Sequence, residues 1–188
     1  AAQLAIDKAQ ARQFAVVGVY NSYYSGRNAY YMEMIVNAGF VGMHLASGQP
    51  HVVPSGGTRP ALGTNPLCFG FPSAQGPVIF DMGTAALQWG EVLLHAETGA
   101  PLPAGVGLDR DGQPTCDAQA TLLGGVLPFG GHKGYGLSFV VQAMGLEIDR
   151  PRPIFPCITG YTAKKATRIL ARSFDQQRDM WNFLRHGS

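Results

Sequence analysis

Charge is scarce in this chain of 188 residues: Asp, Glu, Lys and Arg together make up only 14%, where soluble domains average about 25%. With 46% apolar residues, that scarcity excludes a coiled coil, a solvated disordered tail and an acidic or basic low-complexity protein. Cysteine is scarce as well. Cys68, Cys116 and Cys157 stand far apart with no C-x-x-C among them. Neither a disulfide framework nor a metal site is therefore expected, and a reducing, cytoplasmic compartment is. No Asn-x-Ser/Thr acceptor occurs. Every long apolar run is interrupted by proline, glycine clusters or charge, so no membrane span is expected. The opening AAQLAIDKAQ has neither a basic nor an apolar segment of the kind that makes a signal peptide. It reads as part of a helix entered midway. The net charge of +2 is too small to point to a nucleic-acid partner.

Glycine is present in excess, at 25 residues, about twice the usual share. Its distribution divides the chain. Residues 1–146 hold 23 of the glycines and a net charge of −2, from six Lys/Arg against eight Asp/Glu. Residues 147–188 hold two glycines and a net +4, from eight Lys/Arg against four Asp/Glu. The second part opens on RPRPIFP, which reads as a linker. A basic tail helix is then expected from about Ala163 to Leu184, with Leu170, Phe174, Trp181 and Leu184 on one face. Its charge is expected to be a solvated face.

The first part alternates helix and strand. Helices are expected over Ala1–Gln13 and Arg27–Asn37, the latter ending before Gly39. Short apolar runs at Phe14–Tyr20 and Phe40–Ala46 read as strands. The alternation predicts parallel neighbours joined by a right-handed crossover. Residues 47–66 carry four prolines and read as a long functional loop. Leu67–Phe71 and Val78–Met82 then flank a PSAQGP turn as two strands. A helix over Thr84–Glu97 with Thr84 as N-cap follows, then a turn at 108–113. LLGGVLPFGGHKGYG (122–136) reads as a second glycine-rich loop, before a helix over Tyr135–Met144.

Several chemistries lack their signatures. No G-x-G-x-x-G follows a strand, Lys133 is not followed by Ser/Thr as in a Walker loop, and neither H-E-x-x-H nor G-x-S-x-G occurs. What remains is three loops at strand ends and helix starts, around Ser47, Asp81-Met82-Gly83 and Lys133-Gly134. If they converge, glycines, helix N-termini and one lysine make a fair site for a phosphorylated cofactor. The alternative is that the glycines only satisfy turn geometry and Lys133 is solvated.

The ordered segments NAGFVGMHLASGQPHVVPSGG, LGTNPLCFGFP, VIFDMGT, LDRDGQPT and VLPFGGHKGYGL resemble the type 2 malate/L-lactate dehydrogenase family. This group includes ureidoglycolate dehydrogenases and the reductases of diketogulonate and cyclic imino acids. The resemblance runs from about residue 1 to 145. It implies an α/β fold that is not a Rossmann fold, with a mixed sheet flanked by helices. It also implies hydride transfer between NAD or NADP and a small 2-oxo or 2-hydroxy acid, usually in a homodimer. Matched by position, Ser47, Asp81, Met82, Gly83, Lys133 and Gly134 are the implied cofactor contacts. Thr64 and Asn65 of GTNP are implied near the nicotinamide end.

The chain departs from the family in three places. Where many members have a catalytic histidine in an Asn-x-x-His-[SF]-Gly loop, this sequence reads Asn21-Ser22-Tyr23-Tyr24-Ser25-Gly26. Tyr24 then becomes the expected proton donor, as a phenol of pKa near 10 against about 6.5 for imidazole. Arg27 or Lys133 is expected to favour its phenolate. The alternative is that Tyr23 and Tyr24 only pack. The family's N-terminal helical domain would precede residue 1, and the stretch after residue 150 does not follow the family. A truncated member is therefore expected. A catalytically incomplete nucleotide-binding module is the second reading, and an assembly remnant the third. Among the other residues, His44 reads as structural, and His51 and His132 as lesser candidates for the missing acid. Arg59 reads as a solvated loop residue that could pair a substrate carboxylate. Tyr30, Tyr31, Met32 and Met34 read as core or dimer contacts.

Overall fold

The computed structural model describes residues 1–19, 22 and 24–148. The expected linker and tail helix lie outside the described residues. In chain order the elements are α1 (Ala2–Arg12), α2 (Asn28–Asn37), β1 (Gly42–Leu45), β2 (Leu67–Phe71), β3 (Val78–Met82) and α3 (Trp89–Thr98). They are followed by β4 (Gly107–Leu108), β5 (Pro114–Thr115), α4 (Ala118–Leu123), β6 (Gly125–Val126) and α5 (His132–Ile148).

β1, β2 and β3 form one sheet in that order, and both of its pairings are antiparallel. This corrects the parallel crossover. Among the described residues Phe14–Val19 join no strand ladder, so α2 has no preceding strand to cross from. It packs instead on the sheet that follows it.

Small residues let it do so. Gly42 and Gly70 are paired across β1 and β2. A Cβ on Gly42 would lie 2.8 Å from Met32 Sδ, and one on Gly70 would lie 2.6 Å from Val36 Cγ2. With no side chain there, Met32, Ile35 and Val36 sit directly on the backbone. Met32 and Ile35 make a core with Ile6 of α1 and Cys68 of β2. Strand side chains alternate between faces, so Leu45 and Leu67 point the other way. They pack with Val141 of α5. The sheet therefore lies between α2 and α5, an α/β layering.

A second core lies under α3. Val52, Leu62, Val92, Val126 and Tyr135 are among its buried members. It encloses a small sheet of order β5-β4-β6. Both sheets are antiparallel throughout, which corrects the expected mixed sheet; the parallel contact of Val52 with Val126 is an isolated bridge, as is its antiparallel one with Leu62.

Three boundaries differ from expectation. α3 begins at Trp89 rather than Thr84, because Gln88 and Glu91 form a capping box there. The second glycine-rich stretch is partly ordered, holding the end of α4, β6 and the first turn of α5. Asp117 drives that order by capping α4 through Gln119 N–H at 2.8 Å. α5 itself starts three residues early and runs through Ile148.

Candidate functional site

A cleft of about 730 Å³ opens between the start of α2, the ends of β1 and β3, and the start of α3. Its size falls in the ordinary range for small-molecule sites. Tyr24, Ser47, Thr64, Asp81, Met82 and Gly83 all line it. Asn65, Lys133 and Gly134 do not.

Asn65 sits behind the cleft, fully buried, at a φ of 34° that asparagine tolerates better than most residues. Its side-chain amide N–H groups donate to Ser138 O at 2.9 Å, Ser138 Oγ at 3.2 Å and Gln142 Oε1 at 3.1 Å. Its Oδ1 accepts from Gly48 N–H at 3.1 Å. One side chain thus ties the cleft floor at Gly48 to helix α5. Gly63 is required beside it, since a Cβ there would strike Asn65 Oδ1 and lie 2.7 Å from Gly48 N.

Thr84 performs the matching task from the other side. Its buried hydroxyl donates to Thr64 O at 3.0 Å and lies 3.1 Å from Asn65 O, while its own carbonyl accepts from Phe129 N–H at 3.1 Å. The threonine read from sequence as a helix cap is instead a strut. It joins the segments around GTNP, Asp81-Met82-Gly83 and HKGYG, so these loops are bonded to one another. Lys133 lies exposed in the first turn of α5, and Gly134 is buried against Phe129.

Asp81 ends its strand against α2. Its Oδ2 accepts from Ala29 N–H at 2.8 Å, satisfying a helix-start donor that the N-cap residue, Arg27, leaves unmet. The cross-strand register places Asp81 beside Cys68, and Cys68 beside His44. Burial, reinforced by the Asp81 charge, pushes the Cys68 thiol up to about 12. It is not a nucleophile at neutral pH. Burial also lowers His44, against the opposing pull of Asp81. The His44 Nδ1 has no hydrogen-bond partner among the described residues, and its ring lies 5.7 Å from that of Tyr31. The Tyr31 hydroxyl donates to Ser25 O at 2.8 Å.

Tyr24 is 83% exposed. It lines both the cleft and a cavity of about 230 Å³ that His44 also bounds. Arg27, expected to act on Tyr24, is bound to Glu33 at 2.6 Å. Neither His132 nor Arg59 lines the cleft. Met32 is core, whereas Tyr30 is exposed.

Asn28, Gln88 and Trp89 are among the lining residues that were not singled out from sequence. Asn28 is only 3% exposed, and its Oδ1 has no partner among the described residues. Trp89 stacks on His51, with ring centroids 3.9 Å apart. Reading a helix from Thr84 buried Trp89 in mid-helix, which hid its place at the helix start.

The profile of the malate/L-lactate dehydrogenase family matches residues 1–148. L-sulfolactate dehydrogenase of Methanothermobacter thermautotrophicus is 43% identical over 144 residues, which are 77% of this chain and 42% of that protein. The Delta(1)-pyrroline-2-carboxylate/Delta(1)-piperideine-2-carboxylate reductase of Pseudomonas putida is 40% identical over 79% of this chain and 44% of its own length. Among solved structures, delta1-piperideine-2-carboxylate reductase from Pseudomonas syringae pvar. tomato superposes with a TM-score of 0.72 at 39% identity, covering 76% of this chain and 44% of that one. The fold is shared with these relatives, which are named dehydrogenases and reductases. The chain belongs to the malate/L-lactate dehydrogenase family. It spans a little over two-fifths of the length of these relatives.

Proposed function

We propose that this chain forms the nicotinamide-cofactor cleft of an oxidoreductase acting on a small 2-oxo or 2-hydroxy acid. The observation that carries the reading is the gathering of Tyr24, Ser47, Thr64 and Asp81–Gly83 around one cleft. The residues present fit such a cofactor. Asn28 Oδ1 is a buried acceptor without a partner among the described residues, and leaving it unmet costs about 1–3 kcal/mol. A ligand hydroxyl or carboxamide N–H would satisfy it. The Ser47 and Thr64 hydroxyls and the second oxygen of Asp81 complete a polar floor. Lys133 is the cation proposed for the phosphates, and Gly134 the close backbone approach beside it.

The cofactor, NAD or NADP, supplies the hydride when bound. The protein's part is to hold the substrate carbonyl and deliver a proton to its oxygen as negative charge builds there. Tyr24 Oη is the proposed donor. Its exposure at the cleft rim lets water return the proton after each turnover.

The sheet's outer face supports a homodimer. Met43, Phe71, Val78 and Phe80 are exposed there, and a shared apolar face of this kind is what an association surface offers. Among the described residues no helix is long and apolar enough to cross a membrane, and we place the protein in the cytoplasm.

Because Tyr24 stands where the family resemblance implies a histidine, a second reading is a module that binds the cofactor without turnover. Assays with 2-oxo acids alongside NADH and NADPH titrations separate the two. Binding with turnover supports the first reading, and binding without turnover supports the second.

A further inference from the structure

The cleft has an aromatic wall that hydride transfer and proton delivery leave unused. His51 and Trp89 both line it, with ring centroids 3.9 Å apart and planes within 8° of parallel. Both rings are held from outside the cleft. His51 N–H donates to Leu62 O at 2.9 Å, and its carbonyl accepts from Val126 N–H at 2.9 Å. Trp89 is the first residue of α3, fixed by the Gln88–Glu91 capping box, and it packs partly against the core of Val52, Val92 and Val126. Burial lowers the pKa of His51, so its imidazole stays neutral at physiological pH and does not repel a cationic ring.

We propose that the His51–Trp89 pair is a stacking platform that takes one further flat heteroaromatic ring, anchoring one end of a nucleotide in the cleft. The proposal rests on the cofactor reading, since a nicotinamide dinucleotide carries two such rings, nicotinamide and adenine. Their shared chemistry is a planar nitrogen heterocycle on a ribosyl phosphate. Two rings already stacked lose little freedom when a third is added, which favours affinity.

The test uses the full chain with Trp181→Phe, so that emission reports Trp89 alone. AMP and nicotinamide mononucleotide are titrated separately, with ribose 5-phosphate as the control lacking an aromatic ring. At least one nucleotide is expected to quench Trp89 saturably while ribose 5-phosphate does not, and the one that binds identifies the ring. His51→Ala is expected to weaken that binding about tenfold, as loss of a stacking partner does. His51→Phe, which keeps a flat face, is expected to stay within about threefold of the unsubstituted chain.

Quenching by neither nucleotide overturns the proposal. So does calorimetric affinity unchanged in both His51→Ala and Trp89→Ala, with circular dichroism confirming that each variant folds. NADH calorimetry separates this failure from that of the cofactor reading. NADH binding indifferent to His51→Ala overturns the platform alone. Quenching by AMP without any NADH binding overturns the cofactor reading and leaves the platform standing.

Discussion

Asp81 and Ala29 are joined by a 2.8 Å hydrogen bond between the carboxylate of β3 and the second backbone N–H of α2, across 52 residues of sequence. The bond fixes the mouth of the cleft, because β3 delivers Asp81-Met82-Gly83 and the start of α2 delivers Arg27 and Asn28. It also places a negative charge at the positive end of the α2 dipole.

Asp81→Ala removes both the cap and the charge and is expected to lower stability by about 1 kcal/mol, the usual cost of a lost cap. Asp81→Asn keeps an acceptor and is expected to lose less. Urea unfolding of the two variants measures the difference. The same substitutions remove a charge that raises His44, so its imidazole pKa is expected to fall further, followed by NMR titration.

Asn65→Ala removes the partner of Gly48 N–H and the amide bonds to Ser138 and Gln142 at a fully buried position. The expected loss is about 3 kcal/mol, since each orphaned group costs roughly 1–3 kcal/mol. A urea midpoint within error of the parent would show that α5 does not depend on this tie.

Acid sensitivity follows from two histidines. Burial lowers both His44 and His51 from the ordinary 6.5, so between the folded pKa values and 6.5 the unfolded chain binds more protons than the folded one. Stability then rises with pH in that window. The contribution is full above about pH 6.5 and is lost as pH falls towards the folded values. Denaturant midpoints at successive pH values should fall on acidification. The slope should flatten in His44→Gln and in His51→Gln.

Tyr24→Phe deletes the proposed proton donor while leaving the ring in place. Turnover is expected to drop about tenfold or more, with cofactor affinity unchanged. Equal turnover would remove Tyr24 from the chemistry.

The outer sheet face predicts the oligomeric state. Met43, Phe69 and Phe80 lie in register across three strands, and among the described residues α5 packs on this face at Leu45, Leu67 and Phe69. Light scattering is expected to give a dimer, weakened by Phe80→Glu. A clean, stable monomer would contradict this assignment.

Local features were legible in the sequence where the signal is local. The strands Leu67–Phe71 and Val78–Met82 lie where their apolar runs and the intervening PSAQGP turn place them. α2 ends before Gly39, which takes a φ of 87°. What joins distant segments was not legible. Asn65 finds Ser138 and Gln142 at separations of 73 and 77 residues, and no periodicity encodes such a bond. Thr84 misled for the same reason, since a threonine after a turn looks alike whether it caps a helix or braces a buried loop. The antiparallel order was hidden as well, because residues 47–66 reverse the chain without any helix to mark the reversal.

The most direct test of the central claim is calorimetric titration of the chain with NADH and with NADPH. Saturable binding of at least one, weakened in Lys133→Ala, is the predicted result, and the stronger of the two would fix the cofactor. Binding of neither would contradict the claim that the cleft between α2, β3 and α3 holds a nicotinamide cofactor.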